Sequence, residues 1–231
     1  AGTGRKRNTA PMTPSENTPK SGSLGSIVLA GGGTAGHVSP LLAIADAVKE
    51  KHPDTRITVV GTSDGLEQTL VPEAGYPLAT IAKVPLPRRL NSDLLKKAVD
   101  DSATILQNAN ADVVAGVGGY VCTPVYLAAK RLNIPVIVHE ANKKAGLANK
   151  VGARSAAIVA TAYPETTLGT ASRHVGMPMR KAIADAQWGR GKAQARTELG
   201  LDPNRLTLVV SGGSSGAVSI NEAMAGGAQA L

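Results

Sequence analysis

Two stretches of this 231-residue chain align without a gap. Ile27 to His37 reads IVLAGGGTAGH and Thr207 to Ala217 reads TLVVSGGSSGA, so Gly32, Gly33 and Gly36 fall on Gly212, Gly213 and Gly216, and Thr34 falls on Ser214. Each copy is an apolar run, a glycine turn carrying a hydroxyl, and then a helical pattern. A glycine turn between a strand and a helix lets backbone approach a ligand, and the amides and dipole at the helix N-terminus favour phosphate. The repeat therefore predicts two units of one kind, each opening with strand, turn and helix. The second begins near Arg205, and the residues up to Leu231 amount to one strand and part of one helix, too few for a doubly wound sheet. The expectation is a fragment, with one domain and only the start of another.

Between the two copies, short β-branched runs alternate with Ala- and Leu-rich helical patterns. Strands are predicted near Ile27 to Ala30, Ile57 to Val60, Leu78 to Ala82, Asp112 to Ala115, Pro135 to His139 and Ala157 to Ala160. Helices are predicted near Val38 to Lys51, Asp64 to Val71, Asp93 to Asn108, Thr123 to Leu132 and Gly146 to Ala153. This order calls for an α/β fold, a parallel sheet covered on both faces by helices, as in Rossmann-like doubly wound domains. Ligands in such sheets bind beyond the carboxyl ends of the strands, where the glycine and polar clusters fall. Hydrophobic residues make up 42% of the chain with no Phe, one Trp and four Tyr, so the core must be built of Val, Leu, Ile and Ala. The domain plan is a disordered basic tail (1–25), a first domain (26–175), an interdomain segment (176–204) and the start of a second domain (205–231).

The net charge of +8 is uneven. Part of it lies in the tail, whose Ser, Thr, Pro and Gly leave little to bury. Another concentration, KVPLPRRLNSDLLKK from Lys83 to Lys97, mixes basic residues with Val84, Leu86 and Leu90 in a Pro-broken loop. That mixture suits an anionic membrane surface and equally a solvated loop leading into a helix. Nucleic acid is a poorer partner, because the basic stretches carry almost no aromatics for base stacking. A single cysteine, Cys122, excludes an intramolecular disulfide framework and suits a reducing compartment. No apolar run approaches the roughly 20 residues of a membrane span, and no signal-peptide core is visible, so a soluble or peripheral protein is expected.

Gly31, Gly33 and Gly36 have the G-x-G-x-x-G spacing of dinucleotide-binding turns. That fingerprint also needs an acid at the end of the second strand, about 20 residues on, to hold ribose hydroxyls. Here Gly61 and Thr62 occupy the place, and Asp64, which comes later, reads as a helix N-cap. A sugar nucleotide or pyrophosphate is therefore favoured over NAD or FAD. His37 falls in the first turn of the following helix, where the dipole disfavours imidazolium; a neutral imidazole there can accept a proton, or merely bond the loop or a phosphate. A second glycine turn follows at Ala115 to Arg131, and the stretch Pro135 to Lys150 ends a strand in His139, Glu140 and Asn142, polar groups that face the cleft in this architecture. Glu140 could also cap the next helix.

GGGTAGHVSPLLAIA, GVGGYVCTPVYLAA, HEANKKAGLAN, VGMPMR and GGSSGA stand in this order, and as a set they resemble the MurG-type peptidoglycan glycosyltransferases over roughly Ser26 to Leu231. The resemblance implies the GT-B fold, in which two Rossmann-like domains face a cleft. It implies transfer of N-acetylglucosamine from UDP-N-acetylglucosamine to the 4-hydroxyl of the muramoyl sugar in lipid I, making lipid II for peptidoglycan. The location implied is peripheral, on the cytoplasmic face of an anionic inner membrane, in cell-wall biogenesis, cell shape and division, with other cell-wall and division proteins as partners. Residue by residue, Thr34, Ala35 and Gly36 match donor-contacting positions, and the same loop lies near the acceptor diphosphate. His37 matches the proposed base and Asn142 the donor-contacting Asn. Arg180 matches the Arg after the interdomain Pro, and Ser214 the hydroxyl near the donor phosphates. Ala141 and Met177 depart from the common Gln and Asn and look like actinobacterial variants.

The chemistry implied is inversion at the anomeric carbon by direct displacement, without a cofactor. No D-x-D motif is present, so a metal-free reaction is expected in which amides, helix dipoles and Arg180 stabilise the leaving UDP. The uracil and ribose contacts of the family lie in the C-terminal domain, so this polypeptide alone is expected to bind donor poorly and turn over little. The alternatives are another GT-B transferase, a sugar-nucleotide epimerase, or a non-catalytic nucleotide- or partner-binding module.

Overall fold

The computed structural model describes residues 24–84, 92–169, 172–185, 191–212 and 216–227. Most of the tail, Arg88 and Arg89 of the basic loop, and Ser214 lie outside the described residues. Seven strands form one sheet: β1 Ser26–Ala30, β2 Arg56–Thr62, β3 Leu78–Ile81, β4 Val113–Gly116, β5 Val136–Glu140, β6 Ile158–Thr161 and β7 Ser172–His174. Their order is β3-β2-β1-β4-β5-β6-β7, and every neighbouring pair is parallel. The helices between them are α1 Ala35–Lys51, α2 Glu67–Glu73, α3 Ser92–Asn108, α4 Cys122–Arg131 and α5 Leu147–Ala153; α6 Lys181–Ala184, α7 Lys192–Glu198 and α8 Val218–Gly227 follow.

The strands read as continuous apolar runs because both faces are covered, and their alternate residues divide the core. Val28 and Ala30 point to one side with Val60, Val114, Val138, Leu106 and Tyr126, a layer shared with α3, α4 and α5. Ile27 and Leu29 point to the other with Val59, Leu41, Leu42 and Val71, a layer shared with α1 and α2. Chain order reverses at β1, which has β2 on one side and β4 on the other. The crevice beyond the carboxyl ends of β1 and β4 is where a ligand fits such a sheet.

Several details differ from the sequence reading. α1 begins at Ala35, so Ala35, Gly36 and His37 all belong to its first turn. Leu24 and Gly25, assigned to the tail, are anchored: Gly25 donates to Asp112 Oδ2 at 3.0 Å and Leu24 packs against the core. Asp64 is not a helix cap; α2 starts behind Leu66, and Asp64 instead pairs with Lys83 at 3.0 Å. β7 was not foreseen, since its three residues carry no apolar run. The strand expected near Thr207 is not formed. Leu206, Leu208 and Val209 are exposed there, because a strand needs a neighbour for its backbone bonds and none of the described strands provides one. No described helix is long and apolar enough to cross a membrane.

Candidate functional site

The β1–α1 turn sets one wall of the crevice. Thr34 is the N-cap of α1, but its hydroxyl makes no capping bond; it lies 3.1 Å from His37 Nδ1 instead. The imidazole is thus tied to its own turn through one nitrogen. The other, Nε2, lies over Gly118 in the β4–α4 turn, where a Cβ would stand 3.2 Å from it. Gly118 has φ of +103°, a conformation that L side chains rarely adopt, so the turn both demands glycine and leaves the ring room.

The opposite wall is the β5–α5 loop, organised by one buried carboxylate. Glu140 Oε1 accepts the amide of Asn142 at 2.8 Å and its side-chain NH2 at 2.9 Å, while Oε2 accepts the amide of Gly146 and Asn149 Nδ2, both at 2.9 Å. Asn149 is held in turn by the Tyr126 hydroxyl at 2.9 Å. Glu140 therefore does more than cap α5: it fixes the side chain of Asn142 as well as the N-cap amide of Gly146. A cleft of about 450 Å³ lies between the walls, lined by Thr34, His37, Gly118, Tyr120, Glu140 and Asn142 among others.

Burial lowers the pKa of His37 below the usual histidine value, against Glu140, a hydrogen bond with the Gly32 backbone and Glu67, which raise it. The ring is held neutral by desolvation, where the sequence argument invoked the helix dipole. His139, just before Glu140, is likewise lowered by burial, and its Nε2 lies 3.0 Å from the carbonyl of Gly176 in the interdomain segment. Four of the residues singled out from sequence, Thr34, Ala35, Gly36 and His37, share one turn at this cleft, and Asn142 reaches it from 105 residues away in the chain. Arg180 is exposed at the N-cap of α6 and is not among the lining residues. Ser214 lies outside the described residues.

Sequence reasoning missed Glu67, Tyr120, Tyr126 and Asn149. Glu67 sits in an amphipathic helical pattern where an acid ordinarily faces water. Its only sequence signal is indirect, in the glycines of two separate turns. Asn149 and Tyr126 read as ordinary helix residues because their partners come from other elements.

The N-terminal domain of glycosyltransferase family 28 matches residues 27–161. The UDP-N-acetylglucosamine–N-acetylmuramyl-(pentapeptide) pyrophosphoryl-undecaprenol N-acetylglucosamine transferase of Paenarthrobacter aurescens is 58% identical over 212 residues, 89% of this chain and 57% of the relative. The enzyme of the same name from Streptomyces coelicolor is 50% identical over 202 residues, 85% of this chain and 55% of the relative. The chain thus spans little more than half the length of these relatives. Among solved structures, the crystal structure of Acinetobacter baumannii MurG superposes with a TM-score of 0.59 at 29% identity, covering 72% of this chain and 50% of that one.

Proposed function

Since the chain belongs to glycosyltransferase family 28 and is of the MurG type, we propose that the whole protein transfers N-acetylglucosamine from UDP-N-acetylglucosamine to the muramoyl 4-hydroxyl of lipid I, with inversion, and that this domain supplies the base and the acceptor side of the site. The observation that carries the reading is His37: a half-buried imidazole, kept neutral, tied through Nδ1 to Thr34 and with Nε2 over the glycine turn.

For His37 to act as base, Nδ1 carries the proton and donates it to Thr34 Oγ1, which leaves Nε2 bare toward the cleft. Nε2 then accepts the proton of the attacking hydroxyl as the oxygen displaces UDP at the anomeric carbon. A lowered pKa keeps the imidazole unprotonated at neutral pH. The imidazolium formed in the step is stabilised by Glu140 and Glu67, the same groups that oppose the lowering. Thr34, Ala35 and Gly36 present the start of α1 to the substrates, and Asn142, oriented by Glu140, offers its amide to the donor sugar. Arg180 and Ser214 are read as donor-phosphate contacts, completed by the part of the relatives' length that this chain does not span. Domain boundaries near 175 and 205 follow the same reading. A lipid-linked acceptor brings the protein to the cytoplasmic membrane face, with roles in cell-wall growth, shape and division.

Transfer of radiolabelled N-acetylglucosamine to lipid I by the whole protein tests this. His37→Ala is expected to lower kcat by roughly 10²–10⁴-fold, the usual worth of a general base. A normal rate in that variant removes His37 as base, and no transfer by the wild type removes the reading altogether.

A further inference from the structure

Beneath the glycine turn lies a carboxylate that the motif spacing does not reveal and that the proposed reaction uses only as a distant charge. Glu67, the first residue of α2, is fully buried and forms none of the ion pairs among the described residues. Its Oε2 accepts the amide of Gly33 at 2.8 Å, and its Oε1 accepts both the amide and the hydroxyl of Thr62 at 2.8 Å. Gly32 of the β1–α1 turn, Gly61 near the end of β2 and Gly65 of the β2–α2 turn close around the carboxyl group so tightly that a Cβ on any of them would collide with it. The glycines thus form a cradle for a charged side chain.

Burial by itself would raise the pKa of such an acid, but bonds from the Gly33 and Thr62 amides, its own amide and the Thr62 hydroxyl outweigh that, so the carboxylate stays ionised. One consequence concerns the phosphate-binding expectation directly: the Gly33 amide is committed inward and is not offered to a ligand. Another concerns geometry. Gly33 has φ of +85°, and the bond to Glu67 holds that left-handed turn immediately before Thr34 and four residues before His37. The same charge acts on the His37 imidazole.

We propose that Glu67 is a positioning residue for the transfer reaction: its carboxylate clamps the β1–α1 turn to the end of β2 and so sets where Thr34 and His37 sit in the cleft. The role rests on the reading of His37 as base. It differs from mere packing, because it depends on a charged acceptor facing two amides.

Glu67→Gln keeps the shape but turns an NH2 against donor groups, Glu67→Asp keeps the charge but shortens the reach, and Thr62→Val removes a single donor while leaving the carboxylate in place. Two measurements separate the possibilities: the NMR titration of His37 with the Gly33 amide signal in this 231-residue chain, and kcat against KM in the whole protein. In folded Glu67→Gln the Gly33 amide signal should move, the His37 midpoint should fall, and kcat should drop on the order of 100-fold with KM changed far less, as expected when a reacting group is displaced by about an ångström. Glu67→Asp should recover part of the His37 midpoint, and Thr62→Val should shift all readouts less but in the same direction. If Glu67→Gln does not fold, Thr62→Val decides alone. Unchanged His37 titration and kcat in a folded variant overturn the proposal. Shifted NMR signals in a chain whose whole protein transfers no sugar leave the clamp standing and remove only the transferase reading.

Discussion

At the residue scale, the site depends on buried polar groups satisfied from a distance. Cys122 illustrates how such burial silences a reactive group. Its thiol donates to the carbonyls of Ala30 and Gly118 at 3.1 and 3.0 Å, and burial pushes its pKa up to about 12. Native protein should therefore leave Cys122 unmodified by a thiol-reactive chromophore at pH 8, with full reaction after unfolding; rapid native labelling would contradict the burial. The candidate base was legible as a histidine following a glycine turn, because that relation is local. Its partners were not. Thr34 lies within three residues of it, but Gly118 approaches from the β4–α4 turn, and Glu67 and Glu140 act from α2 and β5.

At the element scale, predicted and observed strands and helices agree closely wherever an apolar period is long, and differ where ends are set by partners. α1 starts earlier than its apolar stripe because its first turn faces the cleft, and β7 forms because β6 offers an edge to Ser172, Arg173 and His174. α5 gives the sharpest test of packing against propensity. Gly152 lies inside this helix, where alanine is ordinarily better by about 1 kcal/mol. Here a Cβ would stand 2.5 Å from Tyr126 Cδ2 and 3.0 Å from Val138 Cγ2. Tyr126 cannot withdraw without losing its bond to Asn149. Gly152→Ala should therefore destabilise the fold by about 1–3 kcal/mol, as overpacked cores do, read as a lower urea midpoint. A raised midpoint would show that the ring yields and propensity wins.

At the scale of the whole molecule, acid should weaken the fold from the histidines downward. His37 and His139 have folded pKa values below the ordinary 6.5. As pH falls below 6.5 the unfolded chain takes up protons that the folded chain refuses, so stability is full above that value and declines toward and through the lowered folded values. Urea midpoints at pH 7.5 and pH 5.5 should show the loss, and it should shrink in His139→Gln; a flat profile would contradict both shifts. The proposed membrane contact belongs to this scale too. Lys83 and Lys97, at the ends of the basic loop, are paired with Asp64 and Asp101, and the sequence places Arg88 and Arg89 between them. Arg88→Glu with Arg89→Glu should weaken sedimentation with anionic vesicles in proportion to salt sensitivity; unchanged binding assigns the contact elsewhere. The sequence alone determined the order of strands and helices from β1 to β6, the parallel sheet they imply and the loops that carry the polar residues, because periodicity and glycine turns are local properties of a chain. Only the tertiary structure decided which residues meet. The strand order β2-β1-β4-β5 brings the end of β2, the glycine turns after β1 and β4 and the loop after β5 into one crevice. It also turns Glu67 inward beneath the Gly33 amide, 34 residues away in the chain, because a buried charge settles where donors from separate loops converge.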